Sequence, residues 1–497
     1  MVSMSRLVIA LRFGLLGNSG NITKAVSRHE KLLFYFGVFM ERILSAINAV
    51  VWGIPTLLLI LSVGLYLSVK SKFAQFRLFP LAMKQLFGGI NKGCEKTGET
   101  SAYRALCTAL AATVGTGNIA GVAGAIALGG PGVVFWMWVC ACIGMVIKLA
   151  EVTLAIHFRT TDQLGKYIGG PMYMIERGLP KSFRWLACLY CFFGVVAAFG
   201  VGNATQINAV ICSIADAAAS LEVVFTRFSA CLVATLVAVL VAVAFWKDNG
   251  RIGIWAEALV PFASVGYILL SCSVLIARYH RIPFAVRTII LGAFSPTAVT
   301  NGVLCSALLS LRVGASRGIF TNEAGMGTAS IAHAAAAVSH PVDQGIMGII
   351  EVFLDTIVIC TMTALVILCS GVEIRYGTDP GVTLSIQAFS AVLGDWSKVI
   401  LSALICIFAF ATILGWGLYG RKCAQYLLGD SVWRLFTAAQ VIGIVLSSLL
   451  NTSVVWVLSE IVNGLMAIPN LVALIWLSPV FLTVLSNYGK RKNAYRT

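Results

Sequence analysis

The amino-acid sequence predicts an all-α polytopic membrane protein. Hydrophobic residues make up 59% of its 497 residues and charged residues only 11%, and the mean hydropathy is +0.91. A soluble chain of this length would need more charged residues to cover its surface. Apolar runs long enough to cross a bilayer follow one another through most of the chain. We therefore predict a multi-pass protein of the cell membrane, surrounded by the lipid bilayer.

About eleven transmembrane helices are predicted from apolar runs of about 18 residues or more. One helix near residues 47–68 precedes two sets of five. The first set lies near residues 104–128, 131–157, 184–214, 228–246 and 254–277. The second set lies near residues 302–336, 345–371, 397–420, 432–450 and 453–485. An odd number of spans in each set would give two copies of one unit opposite orientations, which is an inverted repeat.

The first helix of each set is interrupted. Gly115-Thr116-Gly117-Asn118 weakens the helix near residues 104–128, and the run Arg312–Ala332 has the same character in the second set. Irregular backbone inside a bilayer is tolerated only where it lines a cavity or is buried in protein. Because many secondary transporters build substrate and ion sites from broken helices at the midplane, the two interruptions favour a transporter.

The repeat predicts six segments along the chain. They are an N-terminal extension (1–39), an extra transmembrane helix with a basic cytoplasmic loop (40–103), the first five-helix repeat (104–277), a connecting segment (278–301), the second five-helix repeat (302–485) and a basic cytoplasmic tail (486–497). Met40 opens a stretch that would make a natural start just before the first span. We therefore expect residues 1–39 to be an over-extended start that the native protein lacks.

The basic residues that give the chain its net charge of +16 are distributed along the sequence as a topology signal. With residues 104–128 running from inside to outside, twenty-one Lys and Arg residues fall inside and six fall outside beyond the first span. Cytoplasmic loops carry such an excess in membrane proteins, so we predict a cytoplasmic C-terminus. The basic residues form no stripe with interleaved aromatic residues, which argues against nucleic acid as a partner.

Signals for an enzyme or a cofactor are weak. The fourteen cysteines are scattered, mostly inside apolar runs, where a buried thiol behaves as a small hydrophobe. His157, His280, His333 and His340 lack metal-ligand spacing, and no HExxH or nucleophile-elbow pattern occurs. An ion channel would need a continuous polar stripe or a filter ring, which the sequence does not contain. We predict no enzymatic activity and no cofactor.

Six motifs occur in order along the chain. They are Thr108–Ile126, Gly129–Trp138, Gly169–Leu179, Arg317–Ala336, Phe408–Gly420 and Asn463–Leu474. Together they resemble the alanine or glycine:cation symporter family, over about residues 40–485. The resemblance implies the leucine-transporter-type fold, with one extra helix before a 5+5 inverted repeat, and sodium-driven uptake of small amino acids. Thr321 and Met326 depart from the serine and leucine that the family commonly has there.

The unwound segment Gly115–Asn118 is the predicted centre of the site. The N-terminal end of the outer half-helix offers free amides and a positive dipole end to an amino acid carboxylate. Glycines let a ligand approach the backbone closely, so Thr116, Gly117 and Asn118 are predicted substrate-binding residues. The alternative for such glycines is a helix-packing face. The polar residues and the second break favour the site.

Three further residues are predicted to face the substrate. The resemblance places Gln206 there, with an interhelical hydrogen bond as the alternative role. Thr412 and Trp416 lie four residues apart and so share one helix face. We interpret Thr412 as a hydroxyl ligand to Na⁺ or substrate, and Trp416 as the wall that limits side-chain size.

Two less direct assignments complete the predicted site. Met326 would alter the shape of the substrate pocket, because it replaces the leucine common in the resembled family. By analogy with the fold, backbone oxygens of Ala112 and Gly115 would join Thr412 as ligands of Na⁺, the coupling ion.

Charged residues within the predicted spans indicate pairing or function. We predict that Arg317 and Glu323 form an ion pair or gate. Helix spacing allows two further pairs, Lys148 with Glu151 and Glu351 with Asp355.

The combined prediction is a secondary active transporter that functions as a monomer. Na⁺ and a small neutral amino acid, alanine or glycine with serine as a further candidate, would enter the cell together by alternating access. The alternative is a proton-coupled symporter of small amino acids, with Glu323 or Asp355 as the proton carrier. Sodium dependence of uptake separates the two.

Overall fold

The computed structural model describes residues 43–44, 46–90, 100–163, 165–246, 251–294, 298–300, 303–305, 307–450 and 452–494. It divides the chain into one unit of residues 1–50 and a second of residues 51–497. The described residues of the first unit are helical. The predicted extension 1–39 and the predicted start at Met40 lie outside the described residues. All elements named below belong to the second unit.

The second unit begins with a transmembrane helix and two short helices. These are α1 (Ile54–Lys70), α2 (Ala74–Arg77) and α3 (Phe79–Ile90). A proline in its first turn suits α1, because the missing N–H would have no intrahelical partner there.

The first predicted five-helix set is helical throughout, with two π-helical turns. Its elements are α4 (Ala102–Thr113), π1 (Gly117–Gly121), α5 (Val122–Gly129), α6 (Val133–His157), α7 (Pro171–Gly178), α8 (Arg184–Ala197), π2 (Ala198–Ala204), α9 (Thr205–Ser220), α10 (Arg227–Trp246) and α11 (Arg251–Ala277). Ser101 caps α4 by accepting a hydrogen bond from the Arg104 N–H at 3.1 Å. Strands β1 (Thr160–Thr161) and β2 (Tyr167–Ile168) pair antiparallel between α6 and α7.

The second predicted set is also helical and contains a third π-helical turn. Its elements, with the connecting helix α12 first, are α12 (Ile282–Phe294), α13 (Ala307–Asn322), α14 (Thr328–His333), α15 (Pro341–Val352), π3 (Phe353–Cys360), α16 (Thr361–Ser370), α17 (Thr383–Leu393), α18 (Trp396–Leu428), α19 (Trp433–Ser447) and α20 (Thr452–Ala494). Strands β3 (Ala298–Thr300) and β4 (Val303–Cys305) form an antiparallel hairpin before α13.

The described residues confirm a helical, polytopic membrane protein. Eight of their helices are long and apolar enough to cross a membrane, or nine if the bent pair α4 and π1–α5 counts as one span. Two predicted spans fall short of that length. The segment near 302–336 divides into α13 and α14, and the segment near 432–450 is the 15-residue α19. The count of eleven and the inverted repeat therefore stay predictions.

Helices α6 and α18 form the centre of the unit. About two-thirds of the apolar window of each is buried (67%), whereas only 33% of that window is buried in α10. Small residues let α15 approach α6 closely. A Cβ on Gly348 would lie only 2.9 Å from Lys148 Cγ, so any larger residue would separate the two helices. This close packing brings the charged residues of α6 and α15 together.

Candidate functional site

The first break follows α4, where the sequence predicts the unwound segment. The helix ends at Thr113, and the chain bends by 49° before it continues through π1 and α5. Asn118 Oδ1 accepts a hydrogen bond from the Gly115 N–H at 2.9 Å, so one amide freed by the break has a partner. The last carbonyls of a helix have no intrahelical donor. The end of α4 therefore presents backbone oxygens beside the break.

Gly115 and Gly117 have different surroundings. A Cβ on Gly115 would overlap the Thr412 hydroxyl, so this glycine is required for close packing. Gly117 is partly exposed, and a Cβ there would meet only Thr321 Cγ2 at 3.7 Å and Phe320 at 3.9 Å. The predicted packing role therefore fits Gly115, while Gly117 is partly exposed and has room for a Cβ at ordinary contact distances.

Thr116 and Gln206 are in direct contact. The Thr116 hydroxyl donates to Gln206 Oε1 at 2.8 Å, and Gln206 Nε2 donates to the Val201 carbonyl at 3.1 Å. Both side chains are buried. Two predicted substrate-binding residues from different helices are thus brought together by an interhelical hydrogen bond, the alternative role that the sequence left open for Gln206.

Helix α18 packs directly against the end of α4. A Cβ on Gly415 would lie 2.9 Å from the Ala112 backbone nitrogen, and Thr412 lies against Gly115. Thr412 Oγ1 is buried and has no hydrogen-bond partner within the described part of the chain. The unpartnered hydroxyl and the carbonyl oxygens at the end of the helix together offer hard oxygen ligands, which suit Na⁺. The three predicted sodium ligands therefore lie close together.

Trp416 is fully buried on the same helix. Gly202 of π2 lies so close that a Cβ on it would be 2.6 Å from Trp416 Cβ. The indole also packs edge-on against Tyr419, with ring centroids 5.8 Å apart. Because its surroundings hold it on several sides, the indole is a fixed bulky group.

The second break lies between α13 and α14. Glu323, Gly325 and Gly327 have φ angles of 55°, 91° and 74°, in the left-handed region that glycine adopts at little cost. The Thr328 hydroxyl donates to the Glu323 carboxylate. Met326 is buried within this break, and its N–H donates to the Glu323 carbonyl at 3.2 Å. None of the hydrogen bonds or close contacts described above for the first break involves Met326.

Glu151 holds the second break from α6. Its Oε1 accepts hydrogen bonds from the Gly325 N–H at 2.9 Å, the Gly327 N–H at 3.1 Å and Asn470 Nδ2 at 2.7 Å. A carboxylate can accept several donors on one oxygen, and here it satisfies amides that the break removes from the helix. The sequence analysis did not assign this role to Glu151 or Asn470. The sequence did contain a signal for both residues, because a carboxylate and an asparagine each lie inside an apolar helix.

The predicted pair of Lys148 with Glu151 is wrong. Lys148 Nζ instead lies 3.2 Å from Glu351 Oε1 on α15, and Glu351 Oε2 lies 3.1 Å from His333 Nε2. All three side chains are fully buried. Close packing of α15 on α6 gives Lys148 a partner that residue spacing within one helix could not indicate. Glu351 therefore pairs with Lys148 and His333, not with Asp355 as predicted.

The predicted pair of Arg317 with Glu323 is also corrected. Arg317 Nη2 lies 3.0 Å from Asp379 Oδ2 and 2.9 Å from Glu460 Oε1. Its guanidinium lies 5.5 Å from the centre of the Trp456 ring. Arg317 thus joins α13 to α20 and to the segment between α16 and α17, while Glu323 bonds to Thr328.

Asn118 and Asp355 form a contact that the sequence analysis missed. Asn118 Nδ2 donates to Asp355 Oδ1 at 2.6 Å and lies 3.2 Å from Cys360 Sγ. Both polar atoms of the Asn118 amide are therefore used within the protein, one for the Gly115 N–H and one for Asp355. The predicted role of Asn118 as a direct substrate ligand stays a prediction.

We predict that Gly117→Val abolishes transport of labelled alanine, the substrate that the sequence resemblance implies. The β-branched side chain would fill the space beside Thr321 and Phe320 and disfavour the broken backbone. A misplacement of about 1 Å at such a site can lower a rate about 100-fold. The measurement is uptake by membranes that contain equal amounts of each variant.

Two matched substitutions control this experiment. Gly117→Ala should retain transport, because its Cβ would make only ordinary contacts of 3.7 and 3.9 Å. Gly88→Val, at an exposed position with nothing within 4 Å, should match the parent. Normal uptake by Gly117→Val would contradict a ligand position beside this glycine.

Comparison with known proteins agrees with this geometry. A model of the sodium:alanine symporter family matches residues 38–497. A Haemophilus influenzae protein named an uncharacterized transporter is 40% identical over 458 residues, covering 91% of this chain and 97% of that protein. The sodium/alanine symporter AgcS of Methanococcus maripaludis is 39% identical over 461 residues, covering 91% and 98%.

A third relative carries a different substrate name. The probable sodium/glutamine symporter GlnT of Bacillus subtilis is 35% identical over 462 residues, covering 92% of each chain. All three similarities extend over nearly the whole length of both partners, as the family match does. The chain therefore belongs to the sodium:alanine symporter family and is a membrane transporter, not an enzyme.

Proposed function

We propose that this protein carries Na⁺ and a small neutral amino acid into the cell together. Alanine and glycine are the proposed substrates, with serine as a further candidate, and alternating access is the proposed mechanism. The observation that carries the proposal is the buried, unpartnered Thr412 hydroxyl against Gly115 at the carbonyl end of α4. That oxygen needs a partner, and a cation held by oxygen dipoles would provide one.

The substrate carboxylate would bind at the first break. The start of the helix after the break carries a positive dipole end and amides that can donate to an anion. Gly117 is partly exposed there, and Thr116 and Gln206 contribute polar side chains beside the break. The carboxylate and Na⁺ would then occupy neighbouring positions, and their opposite charges would favour joint binding.

Side-chain size would be limited by Trp416. The relatives include one sodium/alanine symporter and one probable sodium/glutamine symporter, so the family name alone leaves the substrate open. Because Gly202 and Tyr419 hold the indole in place, it could not move aside for a larger side chain. This supports a small substrate. Met326, buried in the second break, would shape the pocket from the other broken helix.

Arg317 would act as a gate. The excess of basic residues in the predicted inner loops supports a cytoplasmic C-terminus, and α13 would then lie on the outer side of the second break. Arg317, Asp379 and Glu460 would then close the outer approach to the site when paired. We further propose that one copy of the chain suffices for transport.

Proton coupling is the second candidate. Asp355 and Glu323 are buried, and the ion pairs of the described residues include neither of them. A buried carboxylate without a cation is costly unless it binds a proton or an ion. Either residue could therefore carry a proton instead of, or together with, Na⁺ at the first break.

Alanine or glycine uptake should require an inward Na⁺ gradient. The proposed site consists of oxygen dipoles suited to a sodium ion, so removal of sodium should reduce uptake to the level of protein-free vesicles. The measurement is uptake of labelled alanine by proteoliposomes with Na⁺ or choline outside, at several pH values. Equal uptake in choline with a dependence on pH alone would replace this proposal by proton coupling.

Trp416→Ala should widen the range of substrates. A pocket discriminates one methylene by only about 1–3 kcal/mol, so exclusion of leucine must come mainly from steric overlap with the indole. Excess unlabelled leucine should therefore compete with labelled alanine in the variant but leave the parent unaffected.

A tryptophan at the other end of α18 provides the control for this test. Trp396 is 54% exposed, so Trp396→Ala removes an indole from the same helix without opening an interior space. Leucine should fail to compete in this variant. Competition in all three proteins, or in none while alanine uptake stays normal, would show that Trp416 does not limit substrate size.

A further inference from the structure

Each broken helix carries its own asparagine at the break. Asn118 Oδ1 accepts the Gly115 N–H at 2.9 Å in the first break, and Asn322 Oδ1 accepts the Ala324 N–H at 3.0 Å in the second. In both cases the amide oxygen is used for the freed backbone. The amide nitrogen of each asparagine is therefore left to donate to another group.

Both amide nitrogens donate toward the same turn, π3. Asn118 Nδ2 donates to Asp355 Oδ1 at 2.6 Å. Asn322 Nδ2 donates to Thr356 Oγ1 at 3.1 Å, and the Thr356 hydroxyl donates to Asp355 Oδ2 at 2.8 Å. An unbroken chain of hydrogen bonds thus runs from Gly115 in one break to Ala324 in the other, with one oxygen of Asp355 serving each side.

This bridge is fully buried. Asn118, Asn322, Asp355 and Thr356 are each 0% exposed. Water cannot replace a lost donor at such depth, so a carboxylate that loses one of its two donors would bear a large desolvation cost. Separation of either break from π3 would expose Asp355 to that cost.

We propose that Asp355 is a positioning residue that makes the two broken helices move together. Displacement of one break strains the hydrogen bond to one oxygen of the carboxylate. The hydrogen bond to the other oxygen then displaces the second break in the same direction. The proposal rests on the proposed function only for its transport readout. Its structural readout, the opening of each break, is independent of what the protein carries.

Hydrogen exchange tests the coupling directly. Peptides that contain Gly115 and peptides that contain Ala324 are followed in the full-length protein in lipid nanodiscs. Loss of a hydrogen bond to a charged group should accelerate local opening about tenfold or more. Asp355→Ala should accelerate exchange at both breaks. Thr356→Val should do the same, although the hydrogen bonds of the Thr356 hydroxyl within the described residues go to Asn322 of the second break and to Asp355.

Two variants make the result interpretable. Asp355→Asn should retain protection at both breaks, because its oxygen can still accept from Asn118 and its nitrogen can donate to Thr356. Thr363→Val removes different buried hydrogen bonds, between the Thr363 and Tyr267 hydroxyls at 2.6 Å and from the Thr363 hydroxyl to the Ile359 carbonyl at 3.1 Å, and should leave both breaks unchanged. These variants distinguish the bridge from general loosening of the helix bundle.

Transport gives a second readout in the same proteins. Thr356→Val should raise the sodium concentration for half-maximal alanine uptake about tenfold or more, and Thr363→Val should stay near the parent. Asp355→Ala combined with Thr356→Val should resemble Asp355→Ala alone, because both substitutions break one chain.

Two results would overturn the proposal. The first is accelerated exchange in Thr356→Val that stays confined to the peptides of the second break. The second is an Asp355→Asn protein that loses protection at both breaks as Asp355→Ala does, which would assign the residue a charge-dependent role. If the parent protein shows no sodium-driven uptake, the proposed function fails, and the exchange experiment still decides whether the breaks are coupled.

Discussion

Backbone amides released inside a membrane-spanning unit need acceptors from the protein, because the bilayer interior supplies no water. The second break shows how strongly this constrains the sequence. Three residues there have positive φ angles, and polar side chains from elsewhere bond to the backbone around them. Asn322 Oδ1 accepts from the Ala324 N–H, Glu151 Oε1 accepts from the Gly325 N–H, and Asn470 Nδ2 donates to the Gly325 carbonyl. Helices α6 and α20, which carry Glu151 and Asn470, must therefore pack against the second break.

The helices and the breaks could be predicted because they depend on local sequence. Apolar length defines most of the spans, and Val133–His157 differs by only two residues from the predicted 131–157. Gly115-Thr116-Gly117-Asn118 lowers helix stability where it stands, so the first break appears where predicted. Spans of marginal length were harder to judge, because α19 and the two halves of the second broken helix derive stability from neighbours that sequence does not identify.

The partners of buried charges could not be predicted from spacing. Three- and four-residue intervals identify neighbours on one helix, and they suggested Lys148 with Glu151 and Glu351 with Asp355. A buried charge takes the partner with the best geometry from any helix that packs on it, since an unpaired charge is costly there. Gly348 determines the partner of Lys148, because it lets α15 approach that residue closely. The contact between Thr116 and Gln206 has the same origin, because it joins helices far apart in the sequence.

The three π-helical turns have a consequence for how this chain can change. Each turn holds a residue described above: Asn118 in π1, Gly202 in π2 and Asp355 in π3. A π turn accommodates one more residue than the α-helix around it. Deletion of a single residue there could restore a regular helix, and the side chains on either side would keep their facing, because the residue removed is the extra one. A deletion elsewhere in the same helix would rotate all following side chains by about 100°. The π turns are therefore the places where these helices can change length by one residue with the least effect on packing.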